Sequence, residues 1–103
     1  MAKQFNKNFL EELFSTIKLR DKSKQIESYT KNLLKQGKNK IAKKIIEESS
    51  ELIIDYLNGS KKRVIEEASD LLYHLMVLLY SKKISIQEIE KELINRKKNV
   101  RQK

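Results

Sequence analysis

Long stretches of this chain contain nothing that would break a helix. Among its 103 residues there is no proline, and the only two glycines, Gly37 and Gly59, lie far apart. Proline and glycine are the residues that most disfavour a helix interior, whereas the abundant Lys, Glu, Leu and Ile favour it. The chain is therefore predicted to be all-α, with long uninterrupted helices in place of strands joined by turns.

Apolar residues recur at helical spacing and divide the chain into segments. The predicted helices comprise residues 6–20, 29–35, 39–57, 61–81 and 86–97. Gly37 ends the second helix and Asn58-Gly59 ends the third, while Ser60 and Ser85 are predicted to cap the fourth and fifth. The fourth helix is apolar around most of its C-terminal half, which predicts a central position buried on several sides.

The length of the chain limits the number of domains and the size of the core. A chain of 103 residues is predicted to be one domain, with a frayed tail over residues 96–103. A lone domain of this size has a modest core, so its stability is expected to depend on a partner chain. The absence of cysteine excludes disulfides and thiolate metal sites, so any metal must have oxygen or imidazole ligands.

The N-terminal segment MAKQFNKNFLEELF has neither a long apolar core nor a small-residue cleavage site. The apolar runs elsewhere are far shorter than the roughly 20 residues needed to span a bilayer. We therefore expect a cytoplasmic protein with no membrane partner.

Charge is distributed unevenly along the chain. The net charge of +9 divides into +8 for residues 1–44, −4 for residues 45–81 and +5 for residues 82–103. An acidic centre with basic flanks suits a divalent cation that is itself bridged to a phosphate-rich ligand. The alternative is that the Lys-rich flanks are simply solvated helix faces.

Five carboxylates form two motifs on neighbouring helices: Glu47, Glu48 and Glu51 on one, Glu67 and Asp70 on the next. At about 100° per residue, each motif projects its carboxylates from one side of its helix. A short turn between antiparallel helices would bring the two motifs together. Such a cluster of like charges is costly unless a cation neutralises it, and Mg²⁺ is the natural candidate.

His74, the single histidine, lies four residues after Asp70 and seven after Glu67, on the same face of the helix. It can contact phosphate, organise a water, bond to Asp70, or occupy a purely structural position facing the core.

These motifs also match those of a known family. The matching segments are the EExxE at 47–51, the ExxD at 67–70, the DLLYHL-type helix at 70–79, the SYT at 28–30, and the first helix at 13–20. With them the chain resembles the phosphoribosyl-ATP pyrophosphohydrolases, which belong to the MazG-like nucleotide pyrophosphohydrolases. The resemblance implies an antiparallel bundle of four to five helices that is completed by formation of a homodimer. It further implies hydrolysis of phosphoribosyl-ATP to phosphoribosyl-AMP and pyrophosphate with Mg²⁺, the second step of histidine biosynthesis.

On this resemblance we assign Glu48, Glu51, Glu67 and Asp70 as metal ligands. Glu47 either accepts a proton from the attacking water or holds a second metal. Weaker expectations of substrate or phosphate contact fall on Lys44, Tyr29, Thr30, His74, Lys62 and Arg63.

Three other functions compete with this one. A related enzyme could act on dUTP, dCTP or another nucleoside triphosphate with the same metal geometry. A small basic helical module that binds nucleic acid would explain the flanks but not the central acids. A metal-storing bundle is disfavoured by one histidine and no cysteine.

Overall fold

The computed structural model describes residues 8–24 and 28–98, and these residues form five α-helices and no strand. The helices are α1 (Phe9–Lys22), α2 (Tyr29–Gln36), α3 (Lys38–Asn58), α4 (Lys61–Ser81) and α5 (Ile86–Lys98). Within this part of the chain, no helix is both long enough and apolar enough to cross a membrane. The predicted all-α fold is confirmed.

Three helices begin where the sequence predicts because their caps are made by nearby side chains. The side chains of Ser28 and Ser60 each accept a hydrogen bond from the backbone N–H three residues on, at 3.1 and 3.2 Å. Ser85 and Glu88 form the predicted capping box, in which each side chain accepts from the backbone N–H of the other residue. These bonds satisfy amides that have no partner inside the helix.

Turns of one or two residues connect α2 to α3 and α3 to α4. Gly37 donates its backbone N–H to the Leu34 carbonyl and has φ +95°, a conformation that glycine adopts readily and other residues rarely do. Gly59 donates its N–H to the Asp55 carbonyl at 2.7 Å and ends α3. Because only Gly59 and Ser60 separate α3 from α4, the two helices pack side by side as an antiparallel hairpin.

The predicted bounds of α2, α3 and α4 agree with the structure to within one residue, and two other predictions need correction. Helix α1 runs to Lys22, two residues beyond its predicted end, and residues 6 and 7, its predicted start, lie outside the described part. Helix α5 continues through Lys98, so the frayed tail predicted from residue 96 does not include residues 96–98. Residues 99–103 of that predicted tail lie outside the described part.

The core lies where α1, α2 and α3 meet the C-terminal half of α4. Its most deeply buried apolar side chains are Ile17, Leu33, Ile41, Met76 and Val77. Phe14 on α1 packs edge-on against Tyr80 on α4, with ring centroids 5.9 Å apart. Ile86, at the start of α5, packs against the same core. The prediction that α4 is the central helix is confirmed.

Apolar side chains remain uncovered on the outer sides of α3 and α4. We call them the outer stripes, and they are Ile46, Ile53 and Leu57 on α3 and Ile65, Leu72 and Leu75 on α4, exposed by 39 to 68%. On a helical wheel each set of three falls within a sector of about 80° or less. Within one chain, therefore, only some of the isoleucines and leucines of α3 pack inside the bundle.

Candidate active site

The carboxylates of the two predicted motifs face each other across the α3–α4 hairpin. Burial raises the pKa of Glu48, and the nearby charge of Asp70 adds to the rise. Burial also raises the pKa of Glu67, to which the adjacent carboxylates of Glu51 and Asp70 contribute further. The four groups are thus close enough to act on one another electrostatically, as the spacing of the motifs predicts.

Glu48 and Glu67 are buried although each carries a carboxylate, and their exposed fractions are only 7 and 5%. In the described part of the chain, Oε1 of each has no hydrogen-bond partner. Leaving a buried acceptor without a partner costs free energy, more so for a charged group. A divalent cation would satisfy both oxygens, and carboxylate oxygens are the donors that Mg²⁺ prefers.

The donors are not already gathered around one point. Among residues 8–24 and 28–98, no three His, Asp or Glu side chains lie close enough together to hold one metal ion as they are placed. As placed, Glu48 contacts His74, and Glu67 contacts Arg63, whose Nη2 lies 2.9 Å from Oε2. Binding of Mg²⁺ by these carboxylates stays a prediction, and it requires side-chain rotation.

His74 connects α4 to both α2 and α3 and is itself buried. Its Nδ1 lies 3.0 Å from the Asp70 carbonyl and 2.6 Å from Oε1 of Glu48, while its Nε2 lies 2.7 Å from the Tyr29 hydroxyl. The N–H direction meets the carbonyl, and the Glu48 oxygen lies to the side of it, so the contact with Glu48 is mainly Coulombic. Of the contacts predicted for His74, the structure thus shows the bond to Asp70, which is made by the Asp70 backbone carbonyl.

The SYT segment at the start of α2 is also hydrogen-bonded to α4. Tyr29 bonds to His74 but leaves much of its ring exposed, whereas Thr30 is fully buried and its hydroxyl bonds to the Tyr73 hydroxyl. Tyr73 also accepts a hydrogen bond from Nη1 of Arg20 at 3.4 Å. Substrate contact by Tyr29 or Thr30 stays a prediction, and the buried position of Thr30 gives it a structural role.

Lys44 and Glu47 lie beside the carboxylate cluster on α3. Nζ of Lys44 is 3.9 Å from Oε1 of Glu47, and both side chains are partly exposed. Burial raises the pKa of Tyr29, and the Lys44 ammonium opposes that rise, as it does for Glu48. Lys44 therefore lies among three groups of the candidate site, where an ammonium can meet an incoming phosphate.

Arg63, one of the weaker candidates for phosphate contact, is engaged by protein carboxylates instead. Its guanidinium lies 2.9 Å from Glu67, 3.0 Å from Glu66 and 3.7 Å from Asp55. Sequence reasoning missed this role, although the spacing of three and four residues to Glu66 and Glu67 was a usable signal. Lys62 is exposed, and phosphate contact by either residue stays a prediction.

A cavity of about 640 Å³ lies elsewhere, between α1 and the loop after α4. Phe14, Lys18, Tyr80 and Ile84 are among its lining residues, and none of the predicted site residues is. It contains no cluster of carboxylates, so the metal chemistry expected of this chain belongs to the α3–α4 hairpin and not to this cavity.

Comparisons with known proteins agree with the geometry. The sequence model of the family described as phosphoribosyl-ATP pyrophosphohydrolase matches residues 10–97. The phosphoribosyl-ATP pyrophosphatase of Bacillus cytotoxicus is 47% identical over 87 residues, which are 84% of this chain and 81% of the relative. That of Clostridium botulinum is 45% identical over 94 residues, 90% of this chain and 84% of the relative. That of Sulfolobus acidocaldarius is 44% identical over 91 residues, 88% of this chain and 96% of the relative. The resemblance seen in the motifs is confirmed: this chain is a hydrolase that belongs to the phosphoribosyl-ATP pyrophosphohydrolase family.

Proposed function

We propose that this chain hydrolyses phosphoribosyl-ATP to phosphoribosyl-AMP and pyrophosphate in a Mg²⁺-dependent reaction, the second step of histidine biosynthesis. Family membership and the names of the relatives support the substrate. One observation supports the cation above the rest: Glu48 and Glu67 keep buried carboxylate oxygens without hydrogen-bond partners in the described part of the chain. A fold retains such oxygens at a cost in stability, which a ligand can offset.

In the reaction, a water attacks phosphorus at the α–β phosphoanhydride and loses a proton. The P–O bond of the anhydride breaks, and pyrophosphate leaves. Glu47, which is partly exposed beside the cluster, is the proposed acceptor of that proton. Lys44, whose ammonium is partly exposed, is proposed to bind a phosphate oxygen and so to orient the phosphates. Bound Mg²⁺ would supply charge neutralisation of the phosphates and of the leaving pyrophosphate. The side chains proposed to hold it are those of Glu48, Glu51, Glu67 and Asp70.

The basic flanks support a polyphosphate ligand. Residues 1–44 and 82–103 carry net charges of +8 and +5 around the acidic centre. Net positive charge on a protein raises the local concentration of an anionic substrate. Family membership favours this enzymatic reading over a nucleic-acid-binding module. A cytoplasmic location, expected from the sequence, stays a prediction.

Neutralising single carboxylates tests the metal assignment. Glu48→Gln and Asp70→Asn should each lower the rate of Mg²⁺-dependent pyrophosphate release about 10²- to 10³-fold, the usual cost of removing one electrostatic stabiliser of the transition state. The matched control is Glu90→Gln on α5, an exposed carboxylate outside the cluster, which should keep the wild-type rate. Circular dichroism should show unchanged helix content in all three. Near wild-type turnover of both cluster variants would refute the assignment.

A substrate panel tests the choice of phosphoribosyl-ATP. Pyrophosphate release should be fastest with phosphoribosyl-ATP, slower with ATP, dUTP and dCTP, and absent when EDTA removes divalent cations. A higher kcat/KM for dUTP or dCTP would overturn the proposed substrate and leave the metal site standing. Undiminished release in EDTA would overturn the Mg²⁺ dependence.

We also propose that the chain forms a homodimer through the outer stripes. Apolar patches of this kind are rarely left open on a monomer, and a chain this short has a modest core. Light scattering should give twice the chain mass of 12.2 kDa. Ile53→Glu should shift the protein toward monomer, and Gln87→Glu, an exposed position on α5, should not. A wild-type monomer, or a dimer that survives Ile53→Glu, would count against this interface.

A further inference from the structure

We propose that His74 is a positioning residue, which limits the orientations open to the Glu48 carboxylate and thereby strengthens metal binding by Glu48. This inference rests on the proposed function, because it assumes that Glu48 is a metal ligand. Its basis is a continuous line of contacts from Tyr29 on α2, through the imidazole on α4, to Glu48 on α3. Three helices thus meet at one side chain, and the carboxylate at the end of the line is one of the two with an unpaired buried oxygen.

The contacts determine which ring nitrogen carries the proton. The Asp70 carbonyl oxygen, 3.0 Å from Nδ1, can only accept a hydrogen bond. Nδ1 therefore carries hydrogen. Nε2 is then left to accept a hydrogen bond from the Tyr29 hydroxyl, 2.7 Å away. The Asp70 carbonyl lies along the Nδ1–H bond, and the Glu48 carboxylate lies beside it at 2.6 Å, close enough to be attracted by the positive end of the N–H dipole.

The imidazole is held firmly enough to serve as a fixed point. The ring is buried, both of its nitrogens have partners, and two aromatic rings pack edge-on against it. The centroid of Tyr29 lies 5.5 Å away and that of Tyr73 lies 5.6 Å away, at interplanar angles of 89° and 88°. A residue that contacts a metal ligand and fixes its orientation often affects metal affinity without contacting the ion.

Glu48 needs some freedom to move, as the other proposed ligands do, since the described donors are not gathered around one ion as they are placed. The off-axis contact with His74 is compatible with this, because it limits the carboxylate to a small range without fixing it through a linear hydrogen bond. A purely structural histidine would need only its bonds to Tyr29 and the Asp70 carbonyl. The close approach of Glu48 is the feature that such a role does not require.

Metal affinity measured directly tests the inference. Mn²⁺ serves as the probe, and its free concentration is followed by electron paramagnetic resonance, with Glu48→Gln as the variant expected to abolish binding. His74→Leu should weaken Mn²⁺ binding about 10- to 100-fold, the usual effect of losing a partner that orients a ligand. His74→Asn, whose amide nitrogen occupies nearly the position of Nδ1, should recover most of the affinity. Tyr73→Phe is the matched control, because it removes bonds to Thr30 and Arg20 on the same turn of α4 and should leave Mn²⁺ affinity unchanged.

A second readout uses the fact that the chain has one histidine. In protein carrying ¹⁵N-histidine, the NMR spectrum should show a protonated Nδ1 and an unprotonated, hydrogen-bonded Nε2. Adding Mg²⁺ should shift the Nδ1 resonance in the wild type and not in Glu48→Gln. A proton found only on Nε2 would overturn the inference, because Nδ1 would then have no hydrogen to direct at Glu48.

The outcomes separate this inference from the proposed function. Wild-type Mn²⁺ affinity in His74→Leu, or an equal loss in Tyr73→Phe, would overturn the positioning role even if phosphoribosyl-ATP is hydrolysed. If Mn²⁺ affinity depends on His74 in a protein that does not hydrolyse phosphoribosyl-ATP, the proposed substrate would be overturned and the positioning role supported. A wild type that binds neither Mn²⁺ nor Mg²⁺ would overturn both the metal site and the inference.

Discussion

Replacing Tyr80 by phenylalanine tests the hydrogen bond that links α1 to the central helix α4. The Tyr80 hydroxyl donates a hydrogen bond to Oδ2 of Asp21 at 2.5 Å and so joins the ends of α1 and α4. The same ring packs edge-on against Phe14. Phenylalanine keeps the ring contact and removes only the hydroxyl, so Tyr80→Phe isolates the contribution of the hydrogen bond.

The expected loss follows from the geometry and the exposure of the two groups. A hydrogen bond to a charged acceptor contributes about 1.5–3 kcal/mol net. Tyr80 and Asp21 are only half-buried, and solvent screens such an interaction. We therefore expect the free energy of unfolding to fall by about 1 kcal/mol, equivalent to a decrease in Tm of about 4–8 °C for a domain of this size.

The effect should also depend on pH in one direction. Burial, together with the hydrogen bond and charge of Asp21, raises the pKa of Tyr80 from its ordinary 10.0 to about 12. The folded state thus holds the phenolic proton more tightly than the unfolded state does. The resulting stabilisation is complete below about pH 10 and is lost as the pH rises toward about 12. The stability advantage of the wild type over Tyr80→Phe should be constant near neutral pH and shrink in alkaline solution.

Urea unfolding followed by far-ultraviolet circular dichroism, at one protein concentration, measures both effects. The matched control is Tyr56→Phe, because Tyr56 is 70% exposed and has no hydrogen-bond partner in the described part of the chain. It should unfold as the wild type does. A Tyr80→Phe variant as stable as the wild type, or a difference that persists undiminished in alkaline solution, would refute the reasoning.

Three further predictions concern the carboxylates and the turn at Gly37. Burial raises the pKa of Glu48 and of Glu67, so Mn²⁺ affinity should fall as the pH drops from neutral toward the ordinary carboxyl pKa of 4.5. An Mn²⁺ affinity that does not change over that interval would contradict this. Over the same interval the metal-free protein should gain stability, because its folded state holds these protons more tightly than the unfolded state, and Glu48→Gln should reduce the gain in urea unfolding. Gly37→Ala should cost about 1–2 kcal/mol of stability through its φ of +95° alone, since an added Cβ meets nothing within 4 Å; unchanged stability in the same assay would show that the turn relaxes.

Most of the helix boundaries could be read from the sequence because the interactions that make them are local. Ser28, Ser60 and the pair Ser85 and Glu88 cap amides at most three residues away, so the side chain and the group it satisfies are neighbours in sequence. The end of α5 was harder to predict, because no proline or glycine follows it and helix ends fray by degrees.

The carboxylate cluster was predictable for a related reason. Spacings of three and four residues place side chains on one face of a helix. A turn of only two residues makes the following helix pack antiparallel beside the preceding one. The ion pairs of Arg63 with Glu66 and Glu67 obey the same spacing and could have been found in advance. The role of each carboxylate is a different matter, because its burial depends on what the other helices cover.

The sequence by itself determined the helical class, most of the boundaries and the pairing of two acidic motifs, since each follows from interactions within a few residues. Only the tertiary structure decided that Glu48 and Glu67 are the buried members of the cluster and that Tyr29, His74 and Glu48 form one line. Contacts across 45 residues of sequence leave no periodic trace, because they depend on how whole helices pack. The outer stripes show the same limit, since an apolar face has the same sequence pattern whether its own chain or a second copy covers it.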